Sequence, residues 1–256
     1  LSVFVPDFLP LTKQRNSVSV AESSLISFQL DSGYPFPFAE SVQFSHAIRR
    51  ALMSRCTDDS FLFSGKRNGV FSLDGHQHAT YFCLPDSAGT RVDKVCLFSP
   101  EPLSESEQAA CDSLREIRIS SRVSIGVTRQ SQTESRALFT TSSEWWSLTP
   151  FCLNRHPKKN GKDGPVQQML RELSNRGFPP PLEIDLMPPR FSKAWPMFQL
   201  ARPGKKQPST MAGFPLAWAF RLVFSSPISG PLFLGHESHF GLGLFMPRTS
   251  LIFCKE

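Results

Sequence analysis

Residues 91–128 decide the fold: Arg91-Val92-Asp93-Lys94-Val95-Cys96-Leu97-Phe98-Ser99, then Pro100 to Ser104-Glu105-Ser106-Glu107, then Ala110, Leu114 and Ile117, ending in Val123-Ser124-Ile125-Gly126-Val127-Thr128. Arg91–Ser99 is rich in Val, Leu and Phe and reads as a strand. Ser104-Glu105-Ser106-Glu107 is a capping box, in which the serine and the glutamate satisfy each other's backbone N–H. It opens a helix whose Ala110, Leu114 and Ile117 are expected to face inward, and Val123–Thr128 is the closing strand. Working backward, Ala79–Leu84 pairs with Arg91–Ser99 across a Pro- and Gly-bearing turn, Pro85 to Thr90. Val42, Phe44, Ile48, Ala51 and Leu52 give the 3.6 period of an amphipathic helix over 41–55, and Ser24–Leu30 alternates as a strand. The order is β-α-β-β-α-β, a ferredoxin-like unit.

The segment 130–135 is polar and without period, and the domain boundary is placed there. Beyond it, strands are expected at Ala137–Thr141 and Trp145–Leu153. Asp163-Gly164-Pro165 starts a helix, with Pro in its first turn. Val166, Met169, Leu170 and Leu173 form its apolar stripe, and Gly177 ends it. Leu182–Met187 and Leu216–Phe224 follow as strands, the latter broken at Ser225-Ser226-Pro227. A second unit of the same kind fits, although its last helix is not legible. The fold class is thus α+β, with tandem ferredoxin-like (RRM/RAMP) domains: a linker or leading strand over 1–23, one domain over 24–130 and one over 131–256.

The chain has 256 residues, 40% hydrophobic and 20% charged, which is ordinary globular usage and excludes collagen, coiled coil and disorder. No run of about 18 apolar residues exists, so no transmembrane helix is expected. The six cysteines, at 56, 83, 96, 111, 152 and 254, never form a CxxC pair. They argue against a zinc ribbon and for a reduced, cytoplasmic setting. The start, Leu1-Ser2-Val3-Phe4-Val5-Pro6, lacks Met and a basic signal region, as expected of a piece of a longer chain.

Net charge is +6, with a pI near 9.2, and it is localised. Residues 151–206 hold 11 Lys and Arg against 4 Asp and Glu. The excess lies at Arg155-His156-Pro157-Lys158-Lys159-Asn160-Gly161-Lys162, at Arg190 with Lys193, and from Arg202 to Lys206. Pro and Gly mark these as loops. They read either as solvated loops or as a surface that tracks a phosphate backbone, with Lys and Arg releasing its counterions.

Histidines are the best lead to chemistry. His76 and His78, in Asp74-Gly75-His76-Gln77-His78-Ala79, share one face if the strand has begun. The pair could ligate a metal given a third ligand, act as general acid and base near neutrality, or bond the loop backbone. His46 shares a helix face with Arg49 and Arg50. Cations there favour the neutral imidazole and attract phosphate. His236 and His239 lie in a Gly-rich turn where Gly235, Gly241 and Gly243 would let backbone N–H groups approach an anion. GxSxG, Walker A, a strand-to-helix GxGxxG and HExxH are all absent. Histidines with basic loops and no acidic metal cluster suit metal-independent cleavage of RNA. The 2′-hydroxyl is then the internal nucleophile, and the protein moves protons and stabilises phosphorane charge.

Three blocks resemble a known family. Phe63-Ser64-Gly65-Lys66 with Leu73-Asp74-Gly75-His76-Gln77-His78-Ala79-Thr80-Tyr81 and Arg91-Val92-Asp93-Lys94-Val95 resembles its GHxHA–strand–RIDH region. Trp146-Ser147-Leu148-Thr149-Pro150-Phe151 with Arg155-His156-Pro157-Lys158 resembles its WxSxTPF…RHPK block. Gly230-Pro231-Leu232-Phe233-Leu234-Gly235 through Ser238-His239-Phe240-Gly241-Leu242-Gly243-Leu244-Phe245 resembles its C-terminal Gly-rich motif. The family is the type I-G (formerly I-U) CRISPR-associated subunit that joins a crRNA 5′-handle-binding module to a repeat-cleaving endoribonuclease module, both of the RAMP superfamily. The likeness spans about residues 40–245 and lies with the nuclease module. One departure is Lys94, where the RIDH-like motif carries His.

The resemblance implies pre-crRNA as substrate, metal-independent cleavage without a cofactor, and a product crRNA retained with the other subunits of a type I effector complex, away from membranes. Catalytic candidates are His46, His76 and His78 for proton transfer, with Arg50 and Lys66 for charge. Arg49, Arg155, His156, Lys158, Lys159, Lys162, His239, Gly241 and Gly243 are the RNA-binding candidates. The alternative is a RAMP subunit that grips crRNA without cutting it.

Overall fold

The computed structural model describes residues 2–4, 24–67, 70–71, 78–131, 140–155, 157, 163–187, 198–205 and 217–248. A short leading strand β1 (Ser2–Phe4) belongs to the second of two large sheets. The first sheet is built from β2 (Ser24–Asp31), β5 (Thr80–Pro85), β6 (Val92–Ser99), β7 (Glu116–Arg118) and β8 (Ser124–Arg129), in the order β5-β6-β2-β8-β7. Helices α1 (Ser41–Met53) and α3 (Glu105–Asp112) complete a β-α-β-β-α-β unit. A one-turn helix α2 (Phe61–Ser64) and a two-residue ribbon, β3 (Lys66–Arg67) with β4 (Val70–Phe71), lie between α1 and β5. Taken in chain order, the four framework strands are arranged 2-3-1-4 with every pairing antiparallel.

Period-2 alternation explains the layering. Ile26, Phe28, Tyr81, Cys83, Val95 and Leu97 share one core with Val42, Phe44, Ile48 and Leu52 of α1. Leu25, Phe82 and Cys96 point to the opposite face. The capping box of α3 forms as read: Ser104 Oγ accepts from Glu107 N at 3.3 Å, and Glu107 Oε2 accepts from Ser104 N at 2.9 Å. The other oxygen, Glu107 Oε1, accepts from Ser60 Oγ, the N-cap of α2, at 2.5 Å. One correction concerns Ile117. The helix stops at Asp112, and Ile117 is instead the buried central residue of β7. Its inward position satisfies both periods, which is why the sequence reads equally well as a longer helix.

The second sheet runs β1-β11-β13-β9-β15-β14. Its strands are β9 (Thr141–Ser147), β11 (Glu183–Leu186), β13 (Phe220–Ser229), β14 (Leu232–Phe233) and β15 (Leu244–Pro247), with β10 (Phe151–Cys152) and β12 (Ala217–Trp218) as a separate pair. Helix α4 (Pro165–Asn175) follows β10, has Pro at its first position, and is followed by Gly177 at φ +72°. The strands β9, β11, β13 and β15 repeat the 2-3-1-4 arrangement, so the chain is a tandem of ferredoxin-like units.

Two expectations need correction here. The second unit has no second helix: between β13 and β15 the described chain makes β14 and a 3-10 turn, Ser238–Phe240. In addition, Ser225-Ser226-Pro227 does not break the strand. β13 continues through it, and the register against β9 shifts between Val223 and Ile228, a bulge that accommodates a proline without a ladder hydrogen bond.

The halves share apolar surface. Leu25, Phe82 and Cys96 pack with Phe233, Leu244 and Met246, while Phe198, Phe240 and Leu242 from the second half enter the core under α1. Among the described residues, no helix is long and apolar enough to cross a membrane.

Candidate active site

The register of α1 places His46 and Arg49 one turn apart, on the flank that meets the second half. Arg49 is pinned: Nε donates to the Phe63 carbonyl at 3.1 Å and Nη2 to the Ser64 carbonyl at 2.6 Å. These carbonyls are free to accept because α2 is one turn long and leaves its last carbonyls without helical partners. Tyr81 Oη also donates to Phe63 O, at 3.2 Å, and burial keeps this phenol protonated by pushing its pKa well above 10. Arg50 is exposed, and its Nη2 donates to Arg118 O on β7 at 2.7 Å.

His78 sits where the chain enters β5. Its Nδ1 lies 3.2 Å from the Ala79 carbonyl, which can only accept, so the proton belongs on Nδ1 and Nε2 carries the lone pair. The backbone bond foreseen for one of the HxH pair is therefore present, and it presets a tautomer with a basic nitrogen. Gly65 makes room for the ring: a Cβ there would lie 3.4 Å from it.

The second half contributes the opposite wall. His239 lies against His78 with ring centroids 3.7 Å apart and planes at 35°. Phe240, buried, lies 5.9 Å from the His46 ring and 6.5 Å from Tyr81. The guanidiniums of Arg202 and Arg49 stand over the Phe240 ring at 4.6 and 5.9 Å. Arg202 pairs with Glu237, with Nε 3.2 Å from Oε1 and 3.1 Å from Oε2.

Electrostatics follow from this assembly. Burial first, then the cations Arg50, Arg202 and Arg49, lower the His46 pKa from 6.5 to about 4. His78 is also lowered, chiefly by burial; the Ala79 carbonyl opposes this, while Arg49 and Arg176 add to it. Both imidazoles are thus neutral near pH 7 and carry lone pairs in a positive environment. Among the described residues, no three His, Cys, Asp or Glu side chains group as metal ligands.

The remaining candidates disperse. Lys66 is exposed on β3. Arg155 is exposed too, its backbone clamped by the buried Gln168 through contacts of 3.1 and 2.7 Å. His76, His156, Lys158, Lys159 and Lys162 lie outside the described residues. Gly241 and Gly243 do not offer their N–H groups to an anion: these donate to Ser238 O at 3.1 Å and Pro150 O at 2.8 Å. The two glycines serve close approach instead. A Cβ on Gly241 would stand 2.9 Å from Phe82 Cβ, and one on Gly243 would stand 1.7 Å from Leu234 O. The Gly241 contact lays the loop against β5 and delivers His239 and Phe240.

Sequence reading missed Arg202, Phe240 and Tyr81 as parts of the site. Arg202 belonged to a basic cluster, and Phe240 stood beside His239 in the Gly-rich block. Neither position said which neighbours the fold would supply.

No protein-family model matches the chain, and no curated protein sequence matches it. Among solved structures it is similar to a Cas6 product complex (13% identity, TM-score 0.42, covering 89% of this chain and 100% of that one). A structure described as a RAMP protein binding different RNA substrates aligns at 14% identity and TM-score 0.41, covering 88% and 98%. A type IV Cas6 crRNA endonuclease, Csf5, aligns at 11% identity and TM-score 0.38, covering 88% and 99%. The tandem ferredoxin-like assignment stands on strand order and pairing in both sheets.

Proposed function

We propose that the chain is a metal-independent endoribonuclease that cleaves CRISPR repeat RNA and then holds the crRNA product within a type I effector complex. In this reading residues 24–130 and 131–256 form its two domains, behind a leading segment over 1–23. The observation that carries it is the convergence of His46, His78 and Arg49 with His239 and Arg202 across the junction of the two units. Two of the three resemblance blocks, far apart in sequence, meet where His78 touches His239.

The chemistry follows from charge and tautomer. A neutral imidazole removes the 2′-hydroxyl proton, and the oxygen attacks the adjacent phosphorus. Guanidinium charge stabilises the phosphorane, and a second imidazole, which takes up a proton once the bound phosphate offsets the arginine field, gives that proton to the 5′-oxygen as it leaves. The products are a 2′,3′-cyclic phosphate and a 5′-hydroxyl. Phosphate binding offsets the arginine field on His46, raising its basicity when the substrate is in place.

The test is cleavage of labelled repeat RNA in EDTA, beside the same RNA with one 2′-deoxy nucleotide at the cut. Expected are a cyclic-phosphate product, a deoxy substrate that binds and stays intact, and at least tenfold slower cleavage on changing His46 or His78 to Ala. Intact repeat RNA at saturating protein would establish the crRNA-gripping subunit in place of the nuclease.

A further inference from the structure

Three arginines act on His46, and the structure separates their tasks. Arg49 is committed to the Phe63 and Ser64 carbonyls, and Arg50 to the Arg118 carbonyl. Those bonds tie α1 to α2 and β7 and are part of the fold. Arg202 differs, because its partner is the carboxylate of Glu237. Toward the described residues, Arg202 donates a hydrogen bond through Nε and not through its Nη groups. One face of its plane is covered by Phe240 at 4.6 Å, which leaves the in-plane edge to meet an anion.

We propose that Arg202 is the residue that grips the scissile phosphate, and that Glu237 is a built-in counter-ion which the phosphate displaces. The proposal rests on the ribonuclease reading of this site.

Arg202 is held by contacts that survive such an exchange. Four residues earlier, Phe198 packs edge-on against Phe38 at 5.8 Å. Gln199 N then donates to Ala39 O at 3.0 Å, and Ala201 is buried. The segment is therefore fastened to the turn that starts α1, which carries His46. Glu237 is suited to be the exchangeable partner. Its side chain is only 8% exposed and has Arg202 as its close partner. Burying a carboxylate is costly unless it is paired, so without Arg202 it must turn toward water. His236, half-exposed and with Nε2 3.9 Å from Glu237 Oε1, stands on that path. Glu237 also adopts a left-handed backbone at φ 54° without being glycine, a conformation that aims the carboxylate inward at a modest cost. The carboxylate keeps the cationic pocket neutralised before RNA arrives and competes with RNA afterwards.

The test uses the full chain and repeat RNA carrying a 2′-deoxy nucleotide at the cut. Glu237→Gln removes the competing charge, and its Kd for this RNA should fall by about threefold to tenfold. Arg202→Ala should slow single-turnover cleavage of the all-ribose RNA by about 100-fold. Arg202→Lys should recover less than a tenth of that loss, since an ammonium lacks the planar fork. The double variant should bind like Arg202→Ala, because Glu237 acts only through Arg202. In the unaltered protein, saturation with the deoxy RNA should move the Arg202 Nε–H resonance, a readout independent of whether any variant folds. An unmoved resonance, or unchanged or weaker RNA binding by folded Glu237→Gln, overturns the exchange. An Arg202→Ala rate within threefold of the parent overturns the grip. If the parent binds repeat RNA without cutting it, the ribonuclease reading fails, while the resonance and the Glu237→Gln affinity still decide the exchange.

Discussion

Replacing His46 with Gln should make the protein less sensitive to acid. The unfolded chain takes up a proton at this position near pH 6.5, whereas the folded chain does so only near 4. Between those values the unfolded state binds more protons, so stability falls as pH falls, and the loss is complete below pH 4. At about 1.36 kcal/mol for each tenfold change in proton affinity, the ceiling is roughly 3 kcal/mol. His46 keeps contact with water, which screens the arginine field, and the realistic effect is about 1–2 kcal/mol. Gln keeps the bulk and polarity of the ring but does not titrate. Urea unfolding at pH 7.5 and pH 4.5 gives the loss for each protein. The parent should lose about 1–2 kcal/mol more than His46→Gln. Comparing the two proteins cancels the contribution of His78, which is lowered in the same direction. Equal losses would refute the reasoning, because His46 would then titrate as it does in the unfolded chain. The kcat/KM profile, which reports the free enzyme, is tied to the same group, since a base already neutral at pH 6 does not limit it there.

Gly243→Ala should be among the most damaging small changes. Its Cβ would stand 1.7 Å from Leu234 O at φ +60°. The left-handed backbone costs about 1–2 kcal/mol for alanine, and displacing Leu234 strains its N–H bond to Gly243 O. Unfolding free energy should drop by about 3 kcal/mol or more, and a drop under 1 would show that the loop can move aside. Ser104→Ala removes one half of the capping box and should cost about 1 kcal/mol by urea melt, with no change in RNA affinity. Tyr81→Phe deletes one of two donors to Phe63 O. A loss near 1 kcal/mol is expected, since Arg49 still satisfies that carbonyl; a loss above 3 would assign Tyr81 a larger part in holding the site.

The first unit was legible because its signals are local. Apolar residues recur at the helical period in α1, the capping box needs only Ser104 and Glu107, and the strands carry β-branched and aromatic residues. Ile117 was misread because three residues beyond Leu114 is inward on a helix and is equally inward on a short strand. The second unit was harder. Its bulge in β13 keeps a strand running through Ser225-Ser226-Pro227, a sequence that resembles a stop. Its second helix was illegible because a 3-10 turn stands there.

The candidate site divides in the same way. His78 and His239 stood out by residue type and by the blocks they occupy, and His46 and Arg49 by residue type and helix spacing. Arg50 was grouped with Arg49 by helix spacing, yet its guanidinium bonds β7 while Arg49 bonds the α2 turn. Spacing fixes a shared flank but not the acceptor each long side chain finds.

By itself the sequence determined the order of helices and strands, the register that sets His46 beside Arg49, and the confinement of basic charge to one stretch, because these depend on neighbours within a few residues. Only the tertiary structure decided that His239 stacks on His78, that Phe240 fills the space under α1, and that Arg202 alone among three arginines faces a carboxylate. Those facts depend on how two sheets dock, and docking relies on shape at Gly241, where a missing Cβ lets the loop meet Phe82 of the first sheet.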